Sequence, residues 1–209
     1  VDTGQKTAYP FQHLPVVQLG AAPAAPGVLS PDHPADRAAV DVDVLVIGSG
    51  FGGLTAANCT VSVWDDFKST VHNIAEMKAH IRANADLLTL VRTTDDIRRA
   101  KREGKTGIIL GFQNAHAFED HLGHIEAFAD LGVRVVQLCY NTQNLVGTGC
   151  YERDGGLSGY GHEVIAEMNR VGIMVDLSHV GARTSEEAIL ASKKPVTYSH
   201  CLPAGLKEH

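Results

Sequence analysis

Hydrophobic and polar positions recur at two different periods along this chain, and the changes of period mark its elements. Between Thr70 and Asn84 the apolar residues Val71, Ile74, Met77 and Ile81 fall three and four apart, which predicts a helix. The short apolar run Val61–Trp64 before it reads as a strand. A second helix starts at Thr93 or Thr94, with Asp95 and Asp96 in its first turn, and stops at Gly104. Thr106–Phe112 is then a strand, about Phe118 to Leu131 a helix ended by Gly132, and Val133–Tyr140 a strand. After a long loop, Asn141–Ser158, come a helix Gly161–Val171 stopped by Gly172, a strand Ile173–Leu177, a helix Thr184–Ser192 and a last strand Pro195–Ser199.

Strand and helix alternating at this cadence imply parallel strands covered by helices. The strands are apolar throughout, as expected when both faces of a sheet are buried. The fold class is therefore α/β, and the repeated unit is that of a β/α barrel of TIM type, present here in part.

Two segments depart from that rhythm. Residues 1–42 are rich in Pro and Ala, as in Ala21-Ala22-Pro23-Ala24-Ala25-Pro26, and show no period. They read as a loosely ordered N-terminal arm, since Pro fixes φ and removes a donor. Residues 43–53 form a separate strand and glycine-rich turn at the start of the main unit, which spans 43–209. There Val44-Leu45-Val46-Ile47 leads into Gly48-Ser49-Gly50-Phe51-Gly52-Gly53. That is the GxGxxG spelling of a dinucleotide-binding turn, and it resembles the opening of FAD-dependent oxidoreductases. The crossover helix such a fold requires has little room, because Val61 follows only eight residues after Gly53.

Composition narrows the partners. A net charge of −6 and a pI near 6.0 argue against nucleic acid, whose binders present a basic face. No apolar run approaches the ~18 residues of a membrane span, and no basic segment followed by an apolar one marks a signal peptide. Four widely spaced cysteines, Cys59, Cys139, Cys150 and Cys201, form no CxxC pair. A reducing, cytoplasmic setting is the expectation.

In a β/α barrel the chemistry sits at the C-terminal ends of the strands. Those ends read Phe112-Gln113-Asn114, Tyr140-Asn141, Asp176-Leu177-Ser178-His179 and Tyr198-Ser199-His200. A single histidine is more often structural than a ligand. Two at equivalent positions of neighbouring strands converge on one rim, where neutral imidazoles bind zinc. His179 and His200 are thus candidate metal ligands, and Asp176 could orient one of them. His116 is a weaker candidate on the same rim, and Tyr140 and Asn141 could contact substrate.

Gly111-Phe112-Gln113-Asn114, Glu167-Met168-Asn169-Arg170, Val175-Asp176-Leu177-Ser178-His179 and Tyr198-Ser199-His200 follow one another in the order and spacing of a known family. From about Gly53 to His209 the chain resembles the membrane dipeptidases, the renal-dipeptidase-like zinc peptidases of family M19. The resemblance implies a (β/α)₈ barrel that hydrolyses dipeptides with one or two Zn²⁺ ions and a metal-held water as nucleophile. It places His179 and His200 on two metal-binding histidines. Gln113 falls where a bridging Glu is usual, and Tyr140 where many members have a substrate-contacting His.

The departures are specific. An amide at 113 lacks the negative charge that would hold two dications together. Nothing in residues 1–60 spells the His-x-Asp of the family's first strand, and the late-strand Asp would fall after His209. Two other functions compete: an FAD- or NAD-binding oxidoreductase fragment resting on Gly48–Gly53, and a dipeptidase-like remnant without activity. Open parallel edges would also suit a homodimer.

Overall fold

The computed structural model describes residues 44–50 and 53–201; the N-terminal arm expected over residues 1–42 lies outside them. The elements in chain order are β1 (Val44–Gly50), β2 (Gly53–Ser62), α1 (Phe67–Ala83), β3 (Leu88–Val91), α2 (Thr94–Glu103), β4 (Thr106–Phe112), α3 (Gly123–Leu131), β5 (Val133–Gln137), α4 (Gly159–Val171), β6 (Met174–Asp176), α5 (Ala182–Ala191) and β7 (Val196–Thr197). A 3₁₀ turn, Ala115–Phe118, follows β4.

These strands join one sheet in the order β1-β2-β4-β5-β6-β7, with β3 paired to the first half of β4. From β2 to β7 every pairing is parallel. Five consecutive parallel strands with α-helical crossovers are the repeat expected of a β/α barrel.

The glycine-rich segment is where the structure corrects the sequence reading. β1 pairs antiparallel with β2, and Gly50 lies opposite Gly53. A strand, not a crossover helix, follows the glycines, so this is a hairpin and not the β-turn-α of a dinucleotide fold. The oxidoreductase reading falls with it.

Local chemistry fixes the helix ends. Asp66 caps α1 by accepting from Ser69 N at 2.7 Å, which starts the helix three residues before the expected Thr70. Thr93 and Asp96 close a capping box on α2. Gly104, Gly132 and Gly172 end α2, α3 and α4 in the left-handed conformation. β3 adds a strand to the expected set, because four residues between two helices carry too short a pattern to register.

One face of the sheet meets α1, α3, α4 and α5. Ile108, Leu110 and Phe112 of β4 pack there with Val133, Val136 and Val175 against Ile74, Phe128, Ile165 and Met168. The alternate residues face the other way. Near the N-terminal ends of the strands that second face is apolar, built from Ala56, Ile109 and Val135 with Val91 and Ile97. Toward the C-terminal ends it turns polar, with Thr60, Gln113, Gln137 and Asp176 at the ends of successive strands. Gln113 donates to Thr60 Oγ1 at 3.0 Å, and Gln137 to the Gln113 carbonyl at 2.6 Å.

Candidate functional site

The polar end of the second face leads directly to the rim. His179 follows β6 and His200 follows β7, and the two rings meet with Nε2 to Nε2 at 2.8 Å. The sequence pattern puts them on neighbouring strand ends, and the fold brings them into contact. Both are half-buried.

The base of the site is an ordered polar network. Asp176, the last residue of β6 and buried, accepts through Oδ1 from Ser178 Oγ at 2.7 Å, from Ser178 N at 3.0 Å and from Ser199 N at 3.1 Å. Its Oδ2 accepts from the Ser199 hydroxyl. With that proton committed to the carboxylate, Ser199 Oγ offers a lone pair to His200 Nδ1, 2.9 Å away. His200 therefore carries its proton on Nδ1 and presents Nε2 as an acceptor. The buried carboxylate thus acts on the ring through one hydroxyl.

The other candidates divide. Asn141 lies against His179, with Oδ1 2.7 Å from Nδ1. Tyr140 stacks on the His179 ring at a centroid distance of 4.5 Å. Trp64, beyond the end of β2 and 51% exposed, meets Tyr140 edge-on at 6.0 Å and His116 at 6.3 Å. His116 thus sits at the far end of a row of rings that starts at His200. Gln113, two strands away at the end of β4, turns its amide nitrogen to Thr60. Among the described residues no group of three or more His, Cys, Asp or Glu side chains is placed to hold a metal ion.

Beyond Asn141 the sequence pattern assigns the loop up to Ser158 no role, yet that loop fastens to the site, with Cys150 N donating to the His179 carbonyl at 2.8 Å. Asp154 accepts from Thr184 Oγ1 at 2.7 Å, Arg183 N at 2.6 Å, Thr184 N at 3.3 Å and Gly156 N at 3.0 Å, tying the loop to the start of α5. Burial pushes the Asp154 carboxyl up, but the Thr184, Gly156 and Arg183 hydrogen bonds together hold it below the usual carboxylate range. Farther along, Glu187 accepts from Leu157 N at 2.7 Å. The only signal in the sequence is an acid thirty residues before the first turn of α5, a separation at which pairing cannot be read.

Two imidazole nitrogens converge from adjacent strands, each ring held by its other nitrogen, and a pair so arranged can supply two ligands to a borderline-soft cation. Parallel strand order, helical cover and a site at the C-terminal ends define a β/α-barrel protein. The chain belongs to the membrane dipeptidase family, peptidase family M19, whose model matches residues 34–209.

Among solved structures, an amidohydrolase from Pseudomonas aeruginosa is 72% identical, with a TM-score of 0.74 over 76% of this chain and 49% of that one. A metallo peptidase from Rhodobacter sphaeroides, liganded with a phosphinate mimic of the dipeptide L-Ala-D-Ala, shares the fold at 23% identity and a TM-score of 0.59, over 62% of this chain and 39% of that one. Among curated proteins, an uncharacterized dipeptidase of Schizosaccharomyces pombe is 39% identical over 131 residues, 60% of this chain and 32% of its own length. The dipeptidase verJ of Clonostachys rogersoniana is 31% identical over 149 residues, 70% of this chain and 38% of its own. The chain thus spans about a third of the curated relatives it matches.

Proposed function

We propose that these residues form the metal-binding part of a zinc dipeptidase. The carrying observation is the His179–His200 pair, whose Nε2 atoms meet at 2.8 Å from neighbouring strand ends. His179 and His200 would hold one zinc ion, and Gln113 would offer a neutral amide oxygen in place of a bridging carboxylate. Zinc in such a site acidifies water and polarises a peptide carbonyl.

The chain's own residues supply the rest of the setting. Asp176, through Ser199, keeps His200 in the tautomer a metal needs. Tyr140 and Trp64 line one side of the pair and would receive the dipeptide. The four free cysteines agree with a reducing, cytoplasmic location, and no described helix is long and apolar enough to cross a membrane. We assign residues 43–209 to one barrel unit preceded by an arm over 1–42. A homodimer pairing open strand edges would suit a protein of these residues alone.

Zinc content is the direct test. The chain should retain one zinc, His179→Ala should lose it, and Gln113→Glu should raise the stoichiometry toward two. Full zinc content in His179→Ala would sink the assignment. Dipeptide hydrolysis that survives a chelator unchanged would sink the metal-dependent activity.

A further inference from the structure

We propose that Asn141 is a positioning residue: its side-chain oxygen holds the His179 Nδ1 proton, and so aims the His179 Nε2 lone pair at His200. The inference rests on the metal-site reading above and assigns to Asn141 a role other than substrate contact.

An amide oxygen can only accept, so at 2.7 Å the His179 Nδ1 must be the donor. The Cys150 thiol donates to the same oxygen at 3.6 Å, which agrees with an acceptor at that position. His179 then has Nε2 unprotonated, as His200 does by way of Ser199 and Asp176. Two acceptor nitrogens at 2.8 Å repel each other unless a cation or a shared proton lies against both. A purely structural histidine pair would place one N–H between the rings. Here the outer partners of both rings select the arrangement that suits a cation.

The backbone supports the same assignment. Asn141 and His179 both adopt positive φ, +63° and +61°, which few residues other than Gly do and which Asn tolerates best. Asparagine therefore meets two demands at once, the left-handed turn and the oxygen. The loop fastens to both residues: Tyr151 N donates to the Asn141 carbonyl at 2.9 Å, and Cys150 N to the His179 carbonyl at 2.8 Å. Gly149 bridges to Val180, and a Cβ at 149 would overlap the Asn141 carbonyl.

Histidine tautomers can be read by ¹⁵N–¹H correlation in the metal-free full chain, at a pH where the rings are neutral. Wild type should show His179 protonated at Nδ1. Asn141→Asp, which keeps an acceptor and tolerates the turn, should retain that pattern. Asn141→Gly, which keeps the turn and removes the acceptor, should shift His179 toward the Nε2–H form and leave His200 unchanged. It should also weaken zinc binding about 10–100-fold.

A wild-type His179 protonated at Nε2 overturns the proposal, and that result requires no variant. So does an unchanged tautomer in a folded Asn141→Gly. Wild-type protein that binds no zinc while its tautomers behave as stated would refute the metal site and leave the positioning role intact.

Discussion

The two faces of the sheet are built from alternate residues of the same strands, yet they follow different rules. On β4, Leu110 and Phe112 enter a continuous apolar core beneath the helices, where Phe112, Phe118 and Phe128 lie edge-on or tilted at 5.0–6.2 Å. Gly111 and Gln113 turn the other way, toward Asn58 and Thr60. Of the buried side-chain atoms that have no hydrogen-bond partner among the described residues, Asn58 Oδ1 and Gln137 Oε1 belong to this second face, and Asn114 Nδ2 lies just beyond β4. A strand that needed only to pack would not bury such groups, since each costs about 1–3 kcal/mol when unpaired. The helix-covered face holds the fold, and the second face carries polar groups suited to chemistry.

Breaking the first face should have the largest effect. Phe128 is fully buried on α3 between Phe67, Phe112 and Phe118. Phe128→Ala should cost about 3–5 kcal/mol in denaturant unfolding, through lost burial and the cavity left behind. A loss below about 1 kcal/mol would mean that the aromatic cluster is not the centre of this core.

The tie between loop and α5 should come next, and it should depend on pH. Asp154 has its folded pKa held below the unfolded value. Its contribution is therefore fully present above about pH 4 and is lost as pH falls through the lower folded value. Asp154→Asn keeps the size but weakens four charge-assisted bonds, for about 1–2 kcal/mol at neutral pH. The difference from wild type should shrink toward zero as both are acidified. A difference that stays constant with pH would show that the carboxylate charge is not what holds the loop.

How far the sequence reached follows the same division. The helix-covered face was legible because its cues are local: the glycines at 132 and 172 and the apolar runs that end at them. The second face was legible only where a strand end carried a conspicuous side chain, as at His179 and His200. Partners across large separations stayed hidden, such as Asn141 with His179 and Asp154 with Thr184. At residues 48–53 a local motif misled, because a spelling that fits a dinucleotide turn also fits two strands that pair through glycines. The eight residues from Gly53 to Val61 already counted against a crossover helix, but Leu54 to Thr60, with mixed β-propensity and no alternation, did not announce the strand that takes its place.

The smallest expected effect sharpens the contrast from the helix side. Tyr160, on α4, packs on the main core, and its hydroxyl is buried without a hydrogen-bond partner among the described residues. If that face needs only packing, the oxygen is dispensable. Tyr160→Phe should change stability by no more than about 0.5 kcal/mol, or raise it slightly, because it removes an unpaired polar atom without opening a cavity. A loss well above about 1 kcal/mol would mean that the hydroxyl has a partner in the folded protein and that polar contacts also matter on the helix-covered face.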